Sequence, residues 1–244
     1  MKIKPFYLSL LFALSSCVQP VYATSTENLL TGDLSSSLQI MFIITILALA
    51  PSILVMMTSF TRIIISLHFL KSAIGTQQMP PNQVVIGLAL FLTFFIMGPV
   101  FSQINENALI PHEKGVISTE QAIEEGLKPI KSFMLEQTRD EDLKLFMDLS
   151  NTPSLANSDN MVEEIPFYVL IPSFIISELR AGFIIGFLLY VPFIVIDLVV
   201  SSTLMSMGMM MLPPSMIALP FKILLFILVD GWNLLIGELV KSFY

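Results

Sequence analysis

Met205-Ser-Met-Gly-Met-Met-Met-Leu-Pro-Pro214 places five methionines in ten residues, between two long apolar runs at 183–200 and 216–228. Gly208 and the pair Pro213-Pro214 argue against a smooth helix through this stretch. The flanking runs therefore read as two helices meeting at an apex. Met is unbranched and its thioether is soft, so the apex offers a deformable apolar surface. Met205 and Met209 share one helical face and Met207 and Met211 another, so no single stripe holds them all. Two readings follow. The methionines fill a core between helices, or they line a flexible constriction that is met from several directions.

Composition extends this reading to the whole chain. It is 55% hydrophobic and 13% charged, which lies outside the range of ordinary soluble domains. The apolar residues come in blocks, as expected of an all-α, polytopic membrane-type protein built from helical hairpins. The net charge of −7 is unevenly spread. Thirteen of the nineteen acids fall in residues 102–165, beside five bases. That segment reads as a soluble insert. No basic face is present for a nucleic acid. Cys17 is the one cysteine, and His68 and His112 stand far apart. No disulfide framework, metal cage or cofactor is expected, and no HExxH, GxSxG or Walker A pattern points to an enzyme.

In chain order, residues 1–23 read as a signal segment. Lys2 and Lys4 precede a short apolar core, and Val21-Tyr-Ala23 fits a small-residue cleavage site. Leu14-Ser-Ser-Cys17 also fits a lipoprotein box, and an uncleaved first helix is a third reading. Residues 24–101 form an N-terminal helical hairpin. The run 38–57 is long enough to cross a bilayer, with a kink expected at Pro51. The polar Thr58-Ser-Phe-Thr-Arg62 interrupts it, and 84–101 is the second long run. Arg62 and Lys71 lie between these runs with no acid, which places that connection in the cytoplasm. The insert then lies on the extracytoplasmic side. Within it, Ser118-Thr-Glu-Gln121 and Thr138-Arg-Asp-Glu141 read as capping boxes. Gly126 reads as a helix end, and Pro129 as the first turn of the next helix. Residues 166–244 carry the C-terminal hairpins and the Met-rich loop.

Glu178, Arg180, Asp197, Lys222 and Asp230 interrupt apolar sequence. Charges at membrane depth are costly, so they pair or face a cavity. They read as structural pairs between helices or subunits, or alternatively as an ion relay. Asp197 and Lys222 stand at nearly equal distances from Met209 and Met210. A hairpin with its apex there brings both to one depth. Glu178 and Arg180 are two apart on a helix, so they point to different sides and take different partners.

Specific strings carry a family resemblance. Met56-Met-Thr-Ser-Phe-Thr-Arg-Ile-Ile-Ile65, Pro80-Pro-Asn-Gln-Val84, Leu88-Ala-Leu-Phe-Leu-Thr-Phe-Phe-Ile-Met97 and Phe133-Met-Leu-Glu-Gln-Thr-Arg139 resemble the FliP family of flagellar type III export gate proteins. So do Ser177-Glu-Leu179, Ile196-Asp-Leu198, Met207-Gly-Met-Met-Met211, Ala218-Leu-Pro-Phe-Lys222, Val229-Asp-Gly-Trp232 and Ser242-Phe-Tyr244. The resemblance implies a ring-like, helically staggered pentamer joined to FliQ and FliR in the flagellar basal body. FlhB and the cytoplasmic export machinery act below it. Unfolded rod, hook and filament subunits pass outward through the assembly, across the bacterial inner membrane. It implies a Met gasket around the closed pore, at positions matching Met209, Met210 and Met211 here. It also implies that the apolar helices need not span a flat bilayer once assembled. Virulence secretion homologues share the fold, so a gate in such a system is the alternative. A copper transporter, with Met205, Met207 and Met209 as soft thioether ligands, and an intramembrane hydrolase using Asp197 or Asp230 are the readings from other classes.

Overall fold

The computed structural model describes residues 34–75, 80–151, 161–209 and 211–244. The signal segment, with its alternatives at Ala23 and Cys17, lies outside the described residues, as does Met210. Among the described residues there is no strand. The helices are α1 (Leu34–Met57), α2 (Phe60–Ile74), α3 (Asn82–Ile96), α4 (Gly98–Ile104), α5 (Ile110–Glu113), α6 (Thr119–Gln137), α7 (Asp140–Leu149), α8 (Met161–Glu164), α9 (Phe167–Ser206), α10 (Pro214–Leu228) and α11 (Gly231–Lys241). A single π-helical turn, Asn105–Leu109, joins α4 to α5. The chain divides into two units, Met1–Ala50 and Pro51–Tyr244. Of the first, the described part is the start of α1, whose described side chains from Ile40 onward are exposed and mostly apolar.

Local chemistry explains the breaks in the second unit. Thr58 donates its hydroxyl to the Leu54 carbonyl, and Thr61 donates to Val55 O at 2.6 Å. These side chains compete for helix carbonyls, and the chain turns at Ser59 before α2 begins. Gly75 ends α2 with φ +83°, a conformation natural to glycine. The apolar run 84–101 is not one straight helix. It bends by 52° between α3 and the helix that follows, where Met97 precedes Gly98 and Pro99. That helix continues past residue 102, so the insert is joined to the apolar segment without a linker.

The insert differs from its sequence reading at two places. Gly126 does not end a helix, because α6 runs unbroken through both Gly126 and Pro129 to Gln137. A Cβ on Gly126 would sit 3.5 Å from that of Ala108, so the glycine lets α6 lie close against the π-turn. An internal glycine costs only about 1 kcal/mol relative to alanine, which packing offsets. Nor does Thr138 open a capping box. It closes α6 by donating its hydroxyl to Met134 O at 2.6 Å, and Arg139 stands at the N-cap of α7 without a side-chain cap. The box at Ser118 and Gln121 is present in both directions, at 3.2 and 3.0 Å.

The core is centred on α2 lying along α9. Ile63 and Leu67 of α2, Leu92 of α3, Met134 of α6, Met147 of α7, Phe174 of α9 and Leu239 of α11 belong to one buried cluster. Helix α9 has 40 residues, about 60 Å at 1.5 Å per residue and about twice a bilayer's hydrocarbon thickness. Runs 166–176 and 183–200 are thus one helix, and its N-terminal part packs on the insert. Among the described residues, two helices are long and apolar enough to cross a membrane, α9 and the Ile40–Met57 part of α1. Two bent pairs add to these if each counts as one span: α3 with the helix after it, and α10 with α11, bent by 64°.

Gly182 and Gly186 are one turn apart on α9 and allow α2 to approach closely. A Cβ on Gly186 would come within 2.4 Å of the Phe69 ring, and one on Gly182 within 3.1 Å of Ile65. Small residues four apart serve this purpose between membrane helices. Gly186→Ala should therefore lower the melting temperature of the detergent-solubilised protein, by the ~1–3 kcal/mol typical of overpacking. Gly87, inside α3, has nothing within 4 Å of its would-be Cβ, so Gly87→Ala should instead raise the melting temperature slightly, by the ~1 kcal/mol that separates alanine from glycine in a helix interior.

Candidate functional site

The most polar buried locus is built around Arg62. It is not a loop charge, as its place between two apolar runs implied, but a residue of α2 with 5% exposure. Its Nε donates to Glu178 Oε2 at 3.0 Å, and Nη2 donates to Glu178 Oε1, so the pair is bidentate. Nη2 also donates to Gln137 Oε1 at 3.0 Å. Nη1 donates to the carbonyl and hydroxyl oxygens of Ser242, at 2.8 and 3.2 Å. The guanidinium carbon lies 4.0 Å from the centre of the Phe243 ring. Guanidinium has five N–H donors in a fixed fork, and here each has an acceptor. Glu178 is 0% exposed, so its charge depends wholly on this partner.

Around that pair the insert is tied to α9. Ser177 donates to Asp142 Oδ2 at 2.7 Å and accepts from the Arg139 backbone at 3.1 Å. Gln137 Nε2 donates to Phe243 O at 3.1 Å. Arg180, next to this patch, points outward to Glu141 of α7 at 3.8 Å and is exposed. Glu178 and Arg180 do take different partners. Asp230 is no buried charge either. It adopts φ +49° at the bend between α10 and α11 and accepts from Asn233 at 3.2 Å.

Lys222 of α10 meets Asp197 of α9. Its Nζ donates to Asp197 Oδ2 at 2.6 Å and to the Ala73 carbonyl in the last turn of α2 at 3.1 Å. Lys222 is buried, while the Asp197 side chain is 37% exposed. A cation at a helix C-terminus also meets the negative end of the helix dipole.

The methionine loop lies beyond this pair. Gly208, with φ +74°, closes α9 by a Schellman motif: Met209 N donates to Leu204 O at 3.0 Å and Gly208 N to Met205 O at 3.0 Å. Pro214 occupies the first turn of α10, after Pro213 at its N-cap, where no N–H is needed. Both ends of the loop are thus chemically fixed. Met205, Met207, Met209 and Met211 are all exposed, Met211 to 99%. In this chain they fill no core. Among the described residues, no group of three His, Cys, Asp or Glu side chains could hold a metal ion.

The structure brings Asp197 and Lys222 together and leaves Arg180 at the surface. Sequence reading missed the Arg62–Glu178 pair, since its members are 116 positions apart and Arg62 sits in a polar string. A lone arginine beside apolar sequence, facing a lone glutamate in another apolar run, was the available signal.

The FliP family model matches residues 43–239. The chain belongs to the FliP family. It is 51% identical over 211 residues to the flagellar biosynthetic protein FliP of Bacillus subtilis, covering 86% of this chain and 94% of that protein. The same-named protein of Pectobacterium carotovorum is 48% identical over 239 residues, 97% and 91% of the two chains. That of Aquifex aeolicus is 49% identical over 212 residues, 87% and 88%. For this FliP-family chain, flagellar biosynthesis and membrane character follow from the family and from the apolar helices.

Removing the two cations separates their burdens. Arg62→Ala strands a fully buried carboxylate, a loss of ~3–5 kcal/mol in comparable sites. Lys222→Ala leaves Asp197 partly solvated, so its cost should be smaller. The yield of folded protein on size-exclusion chromatography should fall in the order wild type, Lys222→Ala, Arg62→Ala. The swap Asp197→Lys with Lys222→Asp should recover part of the loss from Lys222→Ala. Arg62→Lys should not restore the Arg62 site, because an ammonium cannot meet the same fork of acceptors.

Proposed function

We propose that this chain is a pore-forming structural subunit of the flagellar protein export gate, and that its methionine loop closes the idle channel. The exposed thioethers of Met205, Met207, Met209 and Met211 at the α9–α10 apex carry this reading. An export gate passes chains of varied side chains yet must block ions and small solutes at rest. A ring of apolar side chains excludes water from a narrow constriction. Met re-packs around different shapes where Phe or Ile would be stiffer. One chain presents its methionines in several directions, and repetition around a ring turns these into a closed belt. Met210 belongs to the same proposed belt. Membership of the FliP family supports a place in the flagellar export apparatus of the inner membrane.

The partners follow from the family resemblance. They are further copies of this chain in a pentamer, FliQ and FliR beside it, FlhB below, and unfolded rod, hook and filament subunits as cargo. Exposed apolar side chains along α9 and α10, such as Phe187, Leu198, Phe221 and Leu224, support burial against neighbours or lipid. The Asp197–Lys222 pair holds the hairpin that presents the loop. The acidic insert lies on the extracytoplasmic side in this proposal. Lys71, in the last turn of α2 just before the acid-free connection to α3, supports that orientation.

Two experiments test these statements. Replacing Met209, Met210 and Met211 together by Ala should leave assembly intact and make idle cells leak small solutes, read as uptake of a membrane-impermeant dye. A tight membrane around an assembled triple mutant refutes the seal, and lost assembly means that the methionines pack between subunits as structural contacts. A topology reporter fused near residue 157 should be active only outside the cytoplasm. Cytoplasmic activity at that position overturns the orientation.

A further inference from the structure

Where α2, α3 and α11 come together, a cavity of about 280 Å³ opens between their ends. Leu67, Leu70, Val85, Leu88 and Ile236 make its wall. Among the described lining residues, Lys71 and Trp232 are the two with a polar end. Both lie at helix ends, Lys71 in the last turn of α2 and Trp232 in the first turn of α11. Val84 and Val85 belong to the first turn of α3. Leu67, Leu88 and Ile236 stand further along their helices. The cavity is thus amphiphilic along its length, apolar toward the helix middles and crowned by a cation and an indole at the helix ends.

We infer that this cavity holds an anionic phospholipid, with an acyl chain along the apolar wall and the phosphate at Lys71. Three features favour that occupant over an apolar helix from a partner. The first is charge complementarity. Among the described lining residues Lys71 is the one that carries a charge, and its Nζ bonds to the neutral amide oxygen of Asn82 at 2.7 Å, which leaves its charge uncompensated by that partner. The second is placement. Trp and Lys at helix ends mark the level of lipid headgroups, and basic pockets between membrane helices take anionic headgroups. The third is the helix ends themselves. Helices α3 and α11 bring their N-terminal turns to the cavity, and the positive ends of their dipoles favour an anion. The α2 C-terminus has the opposite sign, and Lys71 stands in that same turn. Trp232 is held in place by an edge-on contact with Phe226, 5.4 Å between ring centres.

The inference is independent of the methionine seal and is tested separately. A photoreactive phenylalanine analogue replaces Val84, a lining residue with 57% exposure, in the full chain expressed with its sister subunits. After illumination in native membranes, intact mass spectrometry reads the adduct. The expected adduct has the mass of one phospholipid, with acidic headgroups enriched over zwitterionic ones. Lys71→Ala should lower the acidic-lipid adduct about fivefold, since one basic residue near a membrane contributes on the order of 1 kcal/mol. Leu70→Ala, which widens the wall without touching the charge, should keep the headgroup preference. A cross-link to protein means that a neighbouring chain fills the cavity and overturns the inference. An adduct without headgroup preference, or no lipid adduct at all, overturns it as well.

Discussion

A charge removed from water must find its counter-charge and its hydrogen bonds in one place, and Glu178 meets that constraint through Arg62. With 0% exposure, the carboxylate has no solvent to fall back on. The guanidinium answers it bidentately and spends its three remaining N–H groups on Gln137 and Ser242. Four parts of the chain therefore meet at one side chain: α2, α6, α9 and the residues after α11. Replacement of a buried ion pair by apolar residues is often neutral for stability. What this pair confers is geometry, because a fork with five filled acceptors fits only one arrangement of those four parts.

The same helix is fastened again at its other end. Lys222 reaches from α10 to the last turn of α2 and to Asp197 of α9. Between the two ionic links, Gly182 and Gly186 seat Ile65 and Phe69. Helix α2 is thus held to α9 near both ends by charge and in the middle by close contact. The body of the fold gains a stiff two-helix spine. The methionine loop has the opposite character. A Schellman motif and a proline pair fix where it starts and stops, while its exposed side chains make few contacts within the chain. A rigid support that ends in a deformable apex suits an opening that must close tightly and then yield to an unfolded chain.

The insert is not a separate module on a tether. A continuous helix passes into it across residue 102, and Ser177, Asp142, Arg139 and Gln137 bond it to α9 and to the residues after α11. Movement of the insert would therefore be felt at the Arg62 network. This physical continuity links the acidic surface to the membrane half.

The sequence by itself determined the all-α class, the membrane character and the acidic insert, because blocks of apolar residues and runs of charge are local properties. It also exposed the apex at Gly208 and the proline pair, since turn chemistry acts over a few residues. Asp197 and Lys222 were legible as partners because a hairpin converts equal spacing from its apex into equal depth. Only the tertiary structure decided that Arg62 is buried with Glu178, that Gly126 lies inside a helix, and that Thr138 ends one helix without capping the next. The first two depend on what packs against the residue from elsewhere in the chain, and Thr138 on its hydroxyl reaching the Met134 carbonyl one turn back. Gly126 is tolerated because Ala108 lies beside it, and Arg62 is buried because a carboxylate 116 positions away awaits it. Local propensity amounts to about a kcal/mol per residue, and contacts across the fold outweigh it.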